Sequence, residues 1–357
     1  MKIAAVDLHE VNVPDRPWAW SDEENGMPAH RLTSSLLIVV RCDEGVEGLG
    51  ELGLRGVDRA TLAAATEEWI GLDPLRQSRL PQGALAAEAY ECAALDIRGK
   101  VLGCPVSELL GGAVRDRVPV TLCTGYKTVE NTAADAVWGW ERGFRTYKMK
   151  CIVGTPHLQE RIDYVVDRVE AIHRELPEMD VRPDIRRRLE EVWAAEEVAR
   201  RLEGHRLDCL ESPIVTGAHG DSFSEWRRLR QRIGFPVAEH TGADRLLTMW
   251  SAEALDYAII GAPGAVETVR LSAMAEQLGL PCWTQYVGLG VNNALGLHVC
   301  AAGPSLSRPH DFVGFWAKQD DCVQEEFPVV DGSVQVPDGP GLGVTLDMDA
   351  VGRYAAP

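Results

Sequence analysis

Over the first fifty residues, apolar and polar positions alternate with a period of two. Residues 2–8 and 34–41 (SSLLIVVR) predict strands, the turn Asp43-Glu44-Gly45 follows, and residues 47–51 predict a third strand, giving a small antiparallel sheet. Residues 11–31 (VNVPDRPWAWSDEENGMPAHR) interrupt it with three prolines and two tryptophans. They are too polar and too broken for a core strand, and are expected to form a lid loop over a site or a plain surface loop. Residues 61–110 are rich in Ala, Leu and Glu and predict helix up to the stop at Gly111-Gly112, which sets a lobe boundary near residue 115.

Beyond that boundary, short apolar or β-branched runs at 118–123, 145–150, 180–183, 208–210, 236–238, 257–260 and 281–285 alternate with amphipathic helical stretches such as 156–174, 189–202 and 265–278. Regular βα alternation predicts a parallel sheet, closed into a barrel or doubly wound. No GxGxxG follows the first of these strands, which favours the barrel.

Composition narrows the function. A chain of 357 residues exceeds one ordinary core, and 45% apolar with 25% charged residues is the balance of a packed globular protein. No apolar run is long enough to cross a bilayer, so no membrane partner is expected. The N-terminus lacks a basic region followed by an apolar stretch, and the nine cysteines are odd in number with no CxxC pair, which suggests free thiols and a cytoplasmic location. A net charge of −18, with Arg186–Arg188 as the one basic block, repels a phosphate backbone and excludes nucleic acid as an expected partner.

Three acids stand where predicted strands end: Asp184 (VRPD), Glu211 (DCLES) and Glu239 (FPVAE), 27 and 28 residues apart. That spacing is about one βα unit, so in a barrel they project from the C-terminal ends of adjacent strands. The preceding strand ends in Lys148-Met149-Lys150, whose period-two spacing puts both ammonium groups on one face. Read singly, Asp184 is a helix cap, Glu211 a surface turn and the lysine pair a solvated strand edge. Read together, they form a cluster that costs several kcal/mol of desolvation and repulsion unless a cation neutralises the carboxylates. Three oxygen donors suit Mg²⁺ better than Zn²⁺.

Residues 34–51 (SSLLIVVRCDEGVEGLGE), 96–112 (DIRGKVLGCPVSELLGG), the Lys148–Lys150 pair, Glu211-Ser212-Pro213, 275–281 (AEQLGLP) and 329–346 (VVDGSVQVPDGPGLGVTL) together resemble the enolase superfamily, in the branch of mandelate racemase and muconate lactonizing enzyme. The resemblance implies an α/β fold: a modified TIM-type (β/α) barrel with an α+β capping domain. It divides the chain into a capping domain at 1–115, a barrel at 116–320 and a C-terminal segment at 321–357 that completes the cap. It further implies Mg²⁺ on Asp184, Glu211 and Glu239, Lys150 as general base, and Lys148 as the neighbour that holds down the base's pKa and meets the substrate carboxylate. A small carboxylate substrate and a homo-oligomer are implied with it.

The pattern also breaks. The muconate branch has a further lysine ending the sixth strand, and the mandelate branch an Asp–His pair on strands six and seven. Here no lysine lies between Lys150 and Lys318, residues 257–265 contain no Asp, and Gln285 ends strand seven. Arg186 replaces a supporting Asn, and Pro183 sits awkwardly in a central strand, which leaves Asp180 as an alternative ligand. His30, Tyr126, His240, Gln285, Tyr286 and the His310-Asp311 pair are the remaining candidate proton donors or substrate contacts, and His298 reads as core. With one base, a dehydratase acting on a hydroxy acid such as an acid sugar ranks first. A muconate-type cycloisomerase, a racemase or epimerase, and a metal-binding barrel without turnover follow.

Overall fold

A computed structural model of the chain describes residues 1–20, 22, 34–54, 58–81, 83–151, 157–215, 223–261 and 263–356. The alternating N-terminal pattern folds as expected into an antiparallel sheet of β1 (Ile3–Val11), β2 (Ser35–Cys42) and β3 (Glu47–Gly53). Its inner face packs on the helix Ala87–Leu102, and the approach is close. A Cβ on Gly48 or Gly50 would come within 2.4 and 2.5 Å of the carbonyls of Ala93 and Ala89, so only glycine fits there. The helical stretch expected at 61–110 is instead three helices, Arg59–Glu67, Ala87–Leu102 and Val106–Leu109. Pro74, Pro81 and Pro105 interrupt it, because proline supplies no N–H to a helix interior and disfavours helix in the residue before it.

The α/β portion is a curled parallel sheet. After β4 (Arg117–Pro119), the strands β5 (Leu122–Thr124), β6 (Thr146–Lys150), β7 (Asp180–Asp184), β8 (Leu210–Glu211), β9 (Val237–Thr241), β10 (Tyr257–Ile260) and β11 (Cys282–Trp283) pair in sequential order. β12 (Gln285–Tyr286) then pairs in parallel with β13 (Asp311–Phe312). Closure comes from hydrogen bonds of Thr121 N to His310 O and His310 N to Pro119 O, both 2.9 Å, which join the last strand to the first. The run expected as one strand at 118–123 divides in two: β4 leaves the barrel and pairs antiparallel with β15 (Ser333–Gln335), itself paired with β14 (Val329–Val330). Pro183 stands in β7 with its nitrogen toward β8, where it supplies no ladder bond between those of Val181 N to Arg206 O and Ile185 N to Glu211 O.

Charges cross the barrel interior. Arg182 is fully buried, donates through Nε to Asp208 at 2.6 Å, stacks 3.9 Å from the Trp283 ring and approaches Asp311 at 3.5 Å. Arg308 holds the other oxygen of Asp208. Burial alone would raise the Asp208 carboxyl, but Arg182 and Arg308 outweigh it and hold it below the usual carboxylate range.

The cap is tied to the barrel by carboxylates at backbone N–H groups. Glu51 accepts from Leu289 N at 2.6 Å and Asn292 N at 2.9 Å, at the start of the helix Gly290–Ala302. Asp96 accepts from Leu49 N at 2.9 Å and from Leu342 N at 2.8 Å, joining the cap helix, the cap sheet and the C-terminal tail. Of the expected lid, the described part is anchored at the barrel mouth: Gly125 N donates to Ala19 O at 3.0 Å, Thr128 N to Asp22 at 3.1 Å, and Lys127 to Trp18 O. All nine cysteines are free thiols, and among the described residues no helix is long and apolar enough to cross a membrane.

Two stability outcomes follow from these ties. Asp96→Ala strands the buried N–H groups of Leu49 and Leu342 and should cost about 2–4 kcal/mol in denaturant unfolding. Arg182→Met leaves Asp208 and Asp311 short of a buried counter-charge, at about 3–5 kcal/mol. Because the folded Asp208 is depressed, its stabilisation is present above the unfolded carboxylate value and lost as pH falls through the folded one. Arg182→Met should therefore move acid unfolding to higher pH, and an unmoved acid midpoint in a circular-dichroism titration would contradict this.

Candidate active site at the barrel mouth

The C-terminal ends of the barrel strands open into a cavity of about 440 Å³. Period-two alternation on β6 sends Lys148 and Lys150 to its floor and wall while Met149 packs outward in the core. Parallel pairing sets Lys150 beside Asp184, and Asp184 beside Glu211, on successive strands. Backbone placement thus agrees with the reading from spacing: the two lysines and three acids stand at neighbouring strand ends.

The side chains share their charges in a more particular way. Lys148, 1% exposed, donates to Glu211 at 2.7 Å and to Asp311 at 2.7 Å, and lies 3.6 Å from Asp184. Lys150 reaches Asp184 at 3.2 Å and lines the cavity. Burial on its own would lower the Lys148 ammonium, but Asp311, Glu211 and Asp184 raise it well above its ordinary value. For Lys150, burial likewise presses toward the neutral amine, but the anions around it, Asp184 foremost, outweigh burial and raise the ammonium above its ordinary value, so Lys148 does not hold this pKa down as the resemblance implied. Burial alone would also raise Asp184, yet Lys148 and Lys150 hold it well below the usual carboxylate range.

The third acid is held elsewhere. Glu239, fully buried, takes Arg187 as a forked partner: NH2 to Oε1 at 2.6 Å and Nε to Oε2 at 3.1 Å. Ser212 Oγ at 3.1 Å and His240 N at 2.7 Å complete Oε1. Consequently the acids do not converge as placed, and among the described residues no three His, Cys, Asp or Glu side chains form a group that could hold a metal ion. The donor chemistry still fits a hard divalent cation: all three are carboxylates on adjacent strands, and Glu211 Oε2 is buried without a hydrogen-bond partner among the described residues. What separates them is cationic side chains, chiefly Arg187.

The other candidates sort by position. His240 lines the cavity half-exposed, with Nε2 3.6 Å from Glu211, and Gln285 lines it while donating to Asp311 at 2.8 Å. Tyr126 receives Arg186 NH1 on its hydroxyl at 2.6 Å, near the cavity rim. His310 does not face the site. It is fully buried, its Nδ1 accepts from Thr284 N at 3.0 Å, its Nε2 lies 3.2 Å from Leu306 O, and burial pushes its pKa down to about 3. Neighbours on a strand face opposite sides, so it is Asp311 that enters the cavity. Tyr286 is spent stacking on Phe312, and Asp180 pairs with Arg206 at 2.9 Å at the far end of β7, which removes it as an alternative ligand. His298 is core, bonded to Leu342 O at 3.1 Å. His30 lies outside the described residues. Asp311 as counter-ion to Lys148 and Arg187 as partner of Glu239 were not predicted; the run Arg186–Arg188 was the available signal for the latter.

Comparison with known proteins bears on the family and the fold. Residues 131–350 match the enolase C-terminal domain-like family, and residues 10–111 the mandelate racemase / muconate lactonizing enzyme N-terminal domain. Muconate cycloisomerase 1 of Pseudomonas putida is 28% identical, covering 98% of this chain and 97% of its own length. N-succinylamino acid racemase of Thermus thermophilus is 28% identical over 89% of each. D-xylonate dehydratase of Haloferax volcanii is 27% identical over 88% of this chain and 84% of its own. Among solved structures, a muconate lactonizing enzyme superposes with a TM-score of 0.80 at 24% identity and covers all of both chains. An enolase of Thermobispora bispora complexed with magnesium and formate superposes with a TM-score of 0.80 at 24% identity, covering 99% of this chain and 92% of its own. Magnesium is typical of this group of enzymes. The family matches span both parts of the structure, and the chain therefore belongs to the mandelate racemase / muconate lactonizing enzyme family of the enolase superfamily, an enzyme of the lyase or isomerase kind.

Proposed function

We propose that this enzyme removes the α-proton of a small carboxylate substrate with Lys150 as base, and that its reaction is dehydration of a hydroxy acid such as an acid sugar. One observation carries the reading: Lys150 stands on the cavity wall beside Asp184 with His240 and Gln285 on the same cavity, and among the described residues the one other lysine lining it is Lys148, which is committed to Glu211 and Asp311. Lys318, the next lysine in the chain, is buried on Asp15 at 2.9 Å and on Val13 O at 2.8 Å.

The carboxylate substrate meets a wall carrying Lys148, Lys150 and Arg186–Arg188, a local excess of cations in a chain of net charge −18. Asp184, Glu211 and Glu239 would hold Mg²⁺, which when bound supplies positive charge against the enediolate. Lys148 keeps Glu211 and Asp311 in position. Lys150 Nζ, as the neutral amine, takes the α-proton as the C–H bond breaks; Asp184, which raises its pKa, is the carboxylate a bound cation would claim. Where the β-carbon carries a hydroxyl, the C–O bond then breaks and His240 Nε2 supplies the proton with which hydroxide leaves as water. His240 is assigned this role because Tyr126 is engaged by Arg186 and His310 is buried away from the cavity. Cycloisomerisation is the second reading, supported by the full-length similarity to muconate cycloisomerase 1.

The test follows single enantiomers of acid sugars, N-acyl amino acids and muconate by NMR in D₂O with Mg²⁺. Wild type should take up α-deuterium or eliminate water, and Lys150→Ala should lose this by about 10²-fold or more. His240→Asn should keep α-exchange while slowing elimination. Accumulation of the antipode as fast as deuterium uptake would move the enzyme to the racemases. Exchange unaffected by Lys150→Ala would remove Lys150 as the base, and no exchange with any substrate would favour a barrel without turnover.

A further inference from the structure

The bond between Arg187 and Glu239 is unequal. Glu239 is fully buried, whereas the Arg187 side chain is 40% exposed. Arg187 and Arg186 adopt φ of +65° and +55°, a left-handed conformation that is unfavourable for a non-glycine residue. On Glu239, Oε1 has Ser212 and the His240 backbone as well as Arg187, but Oε2 has Arg187 alone among the described residues. On the adjacent strand, Glu211 Oε2 is buried with no hydrogen-bond partner among the described residues. If Arg187 swung out, its guanidinium would reach water easily, because it already lies partly in it. Glu239 would be left a buried, half-bare carboxylate beside a second bare oxygen, an arrangement that demands another cation.

We infer that Arg187 is a built-in competitor for the metal site: it neutralises Glu239 in the metal-free enzyme, and a divalent cation binds by exchanging with its guanidinium. This rests on the assignment of Asp184, Glu211 and Glu239 as ligands. Arg187 already lines the cavity with Arg186 and Arg188. There a substrate anion gives it a new partner, so metal and anionic substrate reinforce each other's binding, reciprocally.

The experiment is calorimetric titration of wild type, Arg187→Met and Arg187→Gln with Mg²⁺ alone, repeated with Mn²⁺ by electron paramagnetic resonance, after thermal melts confirm folding. Two variants guard against one failing to fold. Removing the competitor should tighten metal binding about tenfold or more, the effect of about 1.4 kcal/mol. In a Glu239→Gln background the same substitutions should have no such effect, because the contested ligand is gone. Unchanged or weaker affinity in the Arg187 variants overturns the inference, as does failure of both wild type and variants to bind either ion. The α-proton exchange assay reads the Lys150 chemistry separately, so loss of exchange with a preserved affinity shift would overturn the catalytic reading and leave this one standing.

Discussion

The barrel is organised around one buried ammonium. Lys148 carries a single positive charge and touches Glu211, Asp311 and Asp184, which come from strands on both sides of it in the closed sheet. A lone charge there would be prohibitively costly, and so would any one of the carboxylates. Three anions about one cation leave an excess of negative charge, and the structure offsets it from two further directions. Arg182 approaches Asp311 from beneath, through a layer made with Asp208, Arg308 and Trp283, and Lys150 meets Asp184 from the cavity. The site is therefore not placed on a finished scaffold. Its charges also close the sheet, because Asp311 can reach Lys148 only when the last strand lies beside the first.

The cap depends on the same kind of contact. Glu51 and Asp96 are buried carboxylates that satisfy backbone N–H groups across domain boundaries, one at the start of a barrel helix and the other at the C-terminal tail. The tail passes so close to Asp96 that a Cβ at Gly341, where φ is +74°, would meet Asp96 Oδ1. These ties hold the N-terminal sheet against the barrel, and Trp18, Ala19 and Asp22 are bonded to the residues that follow β5.

Much of this was legible because it rests on periodicity. Acids spaced by one βα unit and lysines spaced by two residues needed only the assumption of a parallel barrel to fall at neighbouring strand ends, and β6, β7 and β9 are long enough to show their parity. β13 is not. It has two residues, so nothing in the local pattern says whether His310 or Asp311 faces inward; that is set by the pairing of Gln285 with Asp311. The partners of the charges were equally hidden. Arg182 reads as an ordinary basic residue in a strand and Arg187 as part of a solvated run, and only closure of the barrel shows that one stacks on Trp283 while the other forks onto Glu239.

The two lysines, alike in sequence, are made unlike by depth. Lys148 is bound by two carboxylates at 2.7 Å and a third nearby, so its charge is committed and its position fixed. Lys150 sits one turn of the pleat nearer the cavity, where Asp184 is the leading influence that keeps it charged and burial is the leading one that opposes it. The asymmetry separates the pair: Lys148 holds Glu211 and Asp311 in register, and under the proposed reaction Lys150, on the cavity wall, is the one that exchanges a proton.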